Sequence, residues 1–191
     1  MFDTTWSHQS AQSLPPSTSY DDALRLLHDF ETVMRLNPDV KSIKPAQPKN
    51  GMAKSASPGQ QFYEVQDSIP FIPKSMWRDP NVSYNAAFRP MDDGCDVEVH
   101  APGGFTSTNH WRLVRDTKAG ATRELESAGE WRVEIRTDAK CSRAFAGLVK
   151  GQLQNSHAQL EAAFIEKVKQ QGAKGDKRPG VPRRRSSWPM Q

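Results

Sequence analysis

The sequence predicts an α+β fold in which a curved antiparallel sheet of about six or seven strands wraps around one long C-terminal helix. Three features of the 191-residue chain lead to this prediction. Consecutive segments alternate apolar and polar residues and are separated by turns, as in an antiparallel sheet with one covered face. A long segment near the C-terminus has helical spacing throughout. Two short helical segments follow the first strand.

Seven segments have the alternation or composition of strands and are bounded by turn residues. They are residues 4–14, 40–47, 61–69, 82–89, 95–101, 106–115 and 130–140. In the last of these, Trp131, Val133 and Ile135 share one side, and charged residues share the other. The turn MDDG joins the fourth and fifth segments, and its Gly94 is able to take a positive φ.

Two regions have helical spacing. Residues 20–36 follow Ser19, a candidate N-cap, and fit two short helices with a bend near Asp29 as well as one long helix. The second region runs from about Ser142 to Gln170 and would be roughly 40 Å long at about 1.5 Å per residue. Such a helix is long enough to cross the sheet and cover its apolar face. Gly172 is a natural stop for it.

Length and composition indicate one domain, residues 1–171, followed by a disordered basic tail, residues 172–191. The tail has a net charge of +5. Because the whole chain has a net charge of +4, the domain has a net charge of −1. A nearly neutral body does not favour a nucleic-acid-binding face. The basic run 174–185 is a candidate for weak contact with an anionic surface.

Several other classes of protein are not favoured. The chain has neither an apolar run of about 18 residues nor a basic start followed by an apolar block, so we expect no transmembrane segment and no secretory signal. Cys95 and Cys141 match no zinc or redox spacing. These features predict a cytoplasmic protein with reduced thiols, no metal and no cofactor.

The chain resembles the helix-grip fold of the START and birch-pollen-allergen superfamily, also called the polyketide cyclase and lipid transport (SRPBCC) group. Within that group it is most similar to a family of small fungal proteins. The resemblance lies in FYEVQDSIPFIP (62–73), in VSYNAAFRPMDDGCDVEVHAPGGFTSTNHWRL (82–113) and in the helix after DAKCSRAF (138–145). It covers about residues 4–170 and contains no catalytic signature.

The resemblance implies a cavity between the sheet and the long helix, and about 300–1,000 Å³ is typical of a ligand site. Apolar side chains on the inner faces of the strands and helix would line it, although aromatic residues also simply fill cores. The predicted lining residues are Phe88, Val97, Val99, Trp111, Leu113, Trp131, Val133, Phe145, Val149, Leu153 and Leu160.

Two polar residues are candidates for catalysis in this cavity. Tyr84 could donate a hydrogen bond to a carbonyl and stabilise an enolate. His157, beside the apolar stripe of the helix, could carry a proton. The alternatives are a buried tyrosine bonded to backbone and a histidine at the border with water.

Four acidic residues and one histidine on the strands are further candidates for a polar site. Asp96, Glu98 and His100 alternate with valines and should point to solvent, about 6.5–7 Å apart on one strand, which does not favour a metal site. Glu64 and Asp67 lie on opposite faces of their strand, so one of them should face inward. Burial would raise the pKa of that carboxyl and suit it to acid–base chemistry, but the pattern does not show which one it is.

The function implied is binding of a hydrophobic small molecule, followed by cyclisation or isomerisation of a reactive polyketide- or terpenoid-type intermediate in fungal secondary metabolism. Shape alone could hold such a molecule in a near-attack geometry without a cofactor. Two alternatives remain open. One is a lipid or metabolite carrier without chemistry, and the other is a partner-binding protein with an incidental cavity.

Overall fold

A computed structural model describes residues 3–16, 18–48, 52, 58–68, 81–115, 131–143 and 146–175. The strands are β1 (Asp3–Ser13), β2 (Val40–Pro45), β3 (Gln61–Ser68), β4 (Asn81–Met91), β5 (Gly94–Ala101), β6 (Phe105–Arg115) and β7 (Trp131–Ser142). The α-helices are α1 (Tyr20–His28), α2 (Phe30–Met34) and α3 (Ala146–Gly175).

The seven strands form one antiparallel sheet in the order β1-β7-β6-β5-β4-β3-β2. Strands β2 to β7 lie beside their neighbours in sequence, whereas β1 pairs with β7 at the far edge. The predicted fold, a sheet of six or seven strands with a long C-terminal helix and two short helices after the first strand, is therefore confirmed. Because β1 and β2 lie at opposite edges, α1 and α2 connect one side of the sheet to the other.

Local hydrogen bonds explain why residues 20–34 form two helices. Ser19 caps α1 by accepting a hydrogen bond of 3.1 Å from the backbone N–H of Asp22. Asp29 lies between the helices with non-helical backbone angles, and its carboxylate accepts from the backbone N–H of Thr32 at 3.2 Å. Asp29 therefore ends α1 and begins α2, at the bend that the sequence indicated.

The β4–β5 turn requires glycine for a different reason from the one predicted. Positive φ angles among the described glycines occur at Gly59, Gly103 and Gly104, and not at Gly94. A Cβ on Gly94 would instead overlap the backbone carbonyl of Trp111 on β6. The glycine is needed because two strands approach closely. In the connection from β5 to β6, residues 102–104 form a 3₁₀ turn with positive φ at both glycines.

Helix α3 crosses the inner face of the sheet but is shifted along the chain from its predicted limits. Strand β7 continues to Ser142, where it pairs with Asp3, so the helix begins at Ala146. It also continues past Gly172 to Gly175. Its residues Phe164, Ile165 and Val168 are buried in the core. Neither α3 nor the other described helices have the length and apolar character needed to cross a membrane.

Candidate ligand site

A small cavity lies between the inner face of the sheet and helices α2 and α3. Its volume is about 100 Å³. Its wall is mainly apolar, with three polar side chains. The lining residues are Val33, Met34, Asn37, Val40, Tyr84, Ala86, Phe88, Val97, Val99, Asn109, Trp111, Ile135 and Leu160.

This cavity is smaller than the resemblance implied. At about 30 Å³ per water it has room for about three water molecules rather than a whole drug-sized ligand. The helix pair occupies part of the space beside the sheet, since the ring of Phe30 stacks on that of Phe88 with the ring centroids 4.4 Å apart. Val33 and Met34 of α2 form part of the wall. Helices α1 and α2 pack on the inner face of the sheet, where Leu26, Leu27 and Phe30 join the buried core.

Six predicted residues line the cavity, namely Tyr84, Phe88, Val97, Val99, Trp111 and Leu160. Leu113 and Val133 point inward but are buried in the core beyond the cavity wall. Trp131 lies at the sheet end, where its ring is 4.7 Å from that of Tyr20. Phe145 and the side chains of Val149 and Leu153 lie outside the described part of the chain, so these three stay predictions.

Tyr84 belongs to a polar cluster at one end of the cavity. Its hydroxyl donates a hydrogen bond of 2.9 Å to Oδ2 of Asp67, which also accepts from Nδ2 of Asn37 at 3.2 Å. Asp67 is opposite Val82 in the β3–β4 ladder and shares the inner face with Tyr84. Glu64 consequently faces outward. The other carboxylate oxygen, Oδ1 of Asp67, is buried and has no hydrogen-bond partner among the described residues.

Burial brings the titration of Asp67 in this cluster close to neutral pH. It raises the pKa of Asp67 from 3.8 to about 6, although the Tyr84 hydrogen bond opposes the change. Burial and the nearby carboxylate raise the pKa of Tyr84 well above 10, so the phenol keeps its proton. When Asp67 is protonated, it can donate to the Tyr84 oxygen, and the Tyr84 hydrogen is then free to turn towards a ligand.

His157 lies in a second polar cluster and does not line the cavity. It is 2% exposed. Its Nδ1 is 3.0 Å from Oγ of Ser10, and its Nε2 is 2.7 Å from Oγ1 of Thr137. Burial, with the nearby His8, lowers the pKa of His157 to about 4, so the ring is neutral at pH 7.

The predicted role of His157 as a proton carrier in direct contact with a ligand does not fit this position. Both ring nitrogens have protein partners, and the alternative of a border histidine half in water is wrong as well. The connection to the cavity is indirect, since Thr137 donates a hydrogen bond of 2.5 Å to Oδ1 of Asn109, which does line the cavity.

The outer face of the sheet carries the charges, as its alternation indicated, but Asp96 is not in water. It is 5% exposed beneath Arg89, Arg112 and His110, whose nitrogens lie 2.6, 2.6 and 2.8 Å from its oxygens. Burial alone would raise the pKa of Asp96, but these hydrogen bonds outweigh it and lower the pKa to about 2. The cluster therefore ties β4, β5 and β6 together.

A larger open groove of about 560 Å³ also lies on the outer face. Hydroxyl and charged side chains line it, including Thr5, Thr106, His100 and Lys140. We place the candidate site in the inner cavity, because a mainly apolar pocket with few polar groups is the usual form of a small-molecule site. Within the described residues, no group of three or more His, Cys, Asp or Glu side chains is arranged to hold a metal ion.

Sequence reasoning missed seven lining residues, which are Val33, Met34, Asn37, Val40, Ala86, Asn109 and Ile135. For Asn109 a signal was present. It lies on the same side of its strand as Trp111, where a polar residue interrupts an apolar inner face. No comparable signal exists for the α2 residues, because the direction in which a short helix packs depends on distant contacts.

The fold and the inner cavity define the class, a helix-grip protein, and solved structures share this fold. The START superfamily protein from Mycobacterium smegmatis is 14% identical with a TM-score of 0.53, over 86% of this chain and 99% of that one. The Zhui aromatase/cyclase from Streptomyces sp. R1128 is 10% identical with a TM-score of 0.52, over 89% and 96%. The di-domain ARO/CYC BexL from the BE-7585A biosynthetic pathway is 9% identical with a TM-score of 0.57, over 85% of this chain and 49% of that one.

The family itself is defined at the level of sequence. Residues 3–170 match the model of the domain of unknown function DUF7053, and the chain belongs to that family. No curated protein matches the sequence significantly.

Proposed function

We propose that this protein binds an apolar small molecule between the sheet and α3 and promotes its cyclisation or isomerisation. The proposed substrate is a reactive polyketide- or terpenoid-type intermediate of fungal secondary metabolism, and the proposed reaction uses proton transfer without a cofactor. One observation carries the proposal: an apolar cavity whose wall includes Tyr84, hydrogen-bonded to the half-buried carboxyl of Asp67. Two of the similar structures are named as aromatase/cyclases, which supports this class of reaction.

The volume of about 100 Å³ sets a condition on this proposal. A single ring approaches the limit of such a space, so a larger substrate enters only if wall side chains move. Met34 is the best placed to do so, because its unbranched side chain adopts many rotamers at low cost. We therefore expect the cavity to enlarge on binding.

In the proposed reaction, Tyr84 donates a hydrogen bond to a carbonyl oxygen of the substrate. As a water molecule takes a proton from the α-carbon, this bond stabilises the negative charge that develops on the oxygen of the enolate. The enolate carbon then attacks a second carbonyl carbon, whose C=O π bond breaks as the ring closes and whose oxygen regains the proton from water, or the proton returns at another carbon and the double bond moves. Asp67 supports Tyr84 by donating its own proton to the phenol oxygen. Because the pKa of Asp67 is about 6, this form of the pair becomes more populated as the pH falls through 6.

His157 takes a positioning role in the proposal rather than a catalytic one. Through Thr137 it fixes the amide of Asn109 in the cavity wall. Its contribution would therefore appear as a change in how the substrate is oriented.

The test of binding is native mass spectrometry of the full chain purified from the organism that makes it. We expect an excess mass of a few hundred daltons that is lost on denaturation, and the same protein with Ala86→Leu, which fills the cavity, should lack it. Protein that carries no excess mass in either form would contradict a small-molecule function and favour the partner-binding alternative.

The test of chemistry compares variants with the recovered molecule as the probe. Tyr84→Phe removes the hydroxyl while keeping the ring, and we expect product formation to fall at least about tenfold with binding largely kept. His157→Gln should shift the product distribution. Tyr63→Phe is the matched control, because the Tyr63 hydroxyl bonds to Gln61 at the protein surface. An unchanged product profile in both Tyr84→Phe and His157→Gln would contradict the proposed roles of these residues, and no product from the wild-type protein would favour the carrier alternative.

A further inference from the structure

We propose that Asn109 recognises a carbonyl oxygen of the ligand through its side-chain Nδ2 group, and that Thr137 and His157 hold the amide in that orientation. The inference rests on the proposed function, because it requires a ligand in the cavity between the sheet and α3. It adds a specificity-determining residue and narrows the ligand to molecules that carry a ketone or similar carbonyl group on an apolar frame.

Asn109 differs from the other polar residues of the cavity wall. Asn37 and Tyr84 already donate hydrogen bonds to Asp67. Asn109 lies on β6, opposite Thr137 of β7 and Val97 of β5, in the middle of the sheet. Its Oδ1 accepts from Thr137, and no described residue accepts from its Nδ2. Its NH₂ group, which carries two N–H donors, is therefore available to a molecule in the cavity.

The neighbouring side chains determine which end of the amide faces the cavity. The Thr137 hydroxyl, 0% exposed, has a single hydrogen and gives it to Oδ1 of Asn109. The Thr137 oxygen is then left to accept from His157, whose Nε2 is 2.7 Å away, and this contact requires the ring tautomer with its hydrogen on Nε2. This sequence of donors leaves Nδ2 of Asn109 directed away from Thr137.

The chain of hydrogen bonds continues to helix α3 and strand β1. Nδ1 of His157 lies 3.0 Å from Oγ of Ser10, which is 2.5 Å from Oε1 of Glu161. Burial raises the pKa of Glu161, although the Ser10 hydrogen bond and the nearby His8 oppose the change, and burial, with His8, lowers the pKa of His157 to about 4.

The test uses two ring compounds of nearly the same shape, acetophenone and α-methylstyrene, which differ by a carbonyl oxygen in place of a methylene group. Binding to the full chain at pH 5.5 is measured by titration in ¹⁵N–¹H correlation spectra. We expect acetophenone to bind about three- to tenfold more tightly, the range of one net hydrogen bond. The side-chain NH₂ signals of Asn109 should move downfield with acetophenone, as those of a hydrogen-bonded N–H do, and show no such downfield change with α-methylstyrene, a readout that needs no substitution.

Variants separate recognition from positioning. Asn109→Leu should remove the preference for acetophenone, and Asn85→Leu, the same change on the outer face of β4, should keep it. Thr137→Val should reduce the preference while the spectrum stays folded, and Thr137→Ser, which retains the hydroxyl, should restore it. A merely structural Thr137 would affect both probes equally.

The outcomes distinguish this inference from the function on which it rests. If neither compound binds at millimolar concentration, the cavity is not a ligand site and both proposals fail. If both bind with equal affinity, or if Asn109→Leu keeps the preference, the assignment of Asn109 is wrong while ligand binding stands.

Discussion

At the scale of single residues, two buried carboxyl groups behave in opposite ways because of their neighbours. Asp96 is surrounded by Arg89, Arg112 and His110, and its pKa falls to about 2. Burial raises the pKa of Asp67 to about 6, with a smaller contribution from Asp39, because its donors, Tyr84 and Asn37, are neutral and do not offset the loss of hydration. A buried carboxyl without a cationic partner costs stability when it ionises, and such groups occur more often where chemistry requires them.

The cost of keeping Asp67 can be measured by replacing it with Asn. Because its folded-state pKa of about 6 lies above the ordinary 3.8, its stabilising contribution is complete below pH 3.8 and is lost as the pH rises through 6. Between pH 4 and pH 7.5, the free energy of unfolding of Asp67→Asn should therefore rise relative to wild type by about 1–3 kcal/mol. Urea unfolding at both pH values measures this difference. Asp92→Asn, at an exposed turn position, is the control, and an equal change in both variants would show that Asp67 is not special.

The surroundings of Asp67 also show which properties of a single residue can be predicted from sequence and which cannot. Alternation along β3 established that Asp67 or Glu64 faces inward, but only the pairing of Val65 with Tyr84 identified which one. The partners of His157 could not be predicted from sequence for the same reason, since Ser10 and Thr137 are 147 and 20 residues away along the chain. The alternation of side chains along a strand follows from residues adjacent in sequence, whereas strand register and packing partners depend on residues far away in sequence.

At the scale of elements, the β4–β5 turn illustrates a close approach between strands. Gly94→Ala should destabilise the protein by more than about 3 kcal/mol or prevent folding, because the new methyl group overlaps the Trp111 carbonyl and the backbone must shift. Gly151→Ala, the same substitution at an exposed position within α3 with no neighbour within 4 Å, should stabilise by about 0.5–1 kcal/mol. Thermal unfolding of the two variants tests the pair, and a Gly94→Ala protein as stable as wild type would contradict the predicted overlap.

Helix α3 depends on a few large side chains for its attachment to the sheet. Phe164 is fully buried, and its ring lies 6.0 Å from that of Trp111. Phe164→Ala should cost about 3–5 kcal/mol, since it removes a large apolar side chain and leaves a space that the sheet cannot close. Lys167→Ala on the exposed side of the helix should cost under about 0.5 kcal/mol. Chemical denaturation measures the free energy of unfolding of both variants. Equal losses of stability would show that Phe164 does not attach α3 to the sheet.

At the scale of the whole molecule, local patterns were sufficient to predict the layers. Alternation in seven segments and a 30-residue helix leave few ways to cover one sheet face. The size of the space between the layers was not predictable in this way. It depends on where the helix pair packs, and Phe30 against Phe88 is a contact between residues far apart in sequence. The cavity volume is therefore the property that sequence reasoning overestimated most.

Filling this cavity tests whether the space between the layers is the place where a ligand binds. Ala86 lies on β4, is fully buried and lines the cavity, so Ala86→Leu would place three additional carbon atoms inside it. We expect a folded protein that is unchanged or more stable by up to about 2 kcal/mol, because filling a void adds apolar contacts. Acetophenone binding should fall at least tenfold. Ser83→Leu, an exposed position on the opposite face of the same strand, should leave binding unchanged. If Ala86→Leu folds and binds acetophenone as tightly as wild type, the compound occupies another site, and the outer groove would be the next place to look.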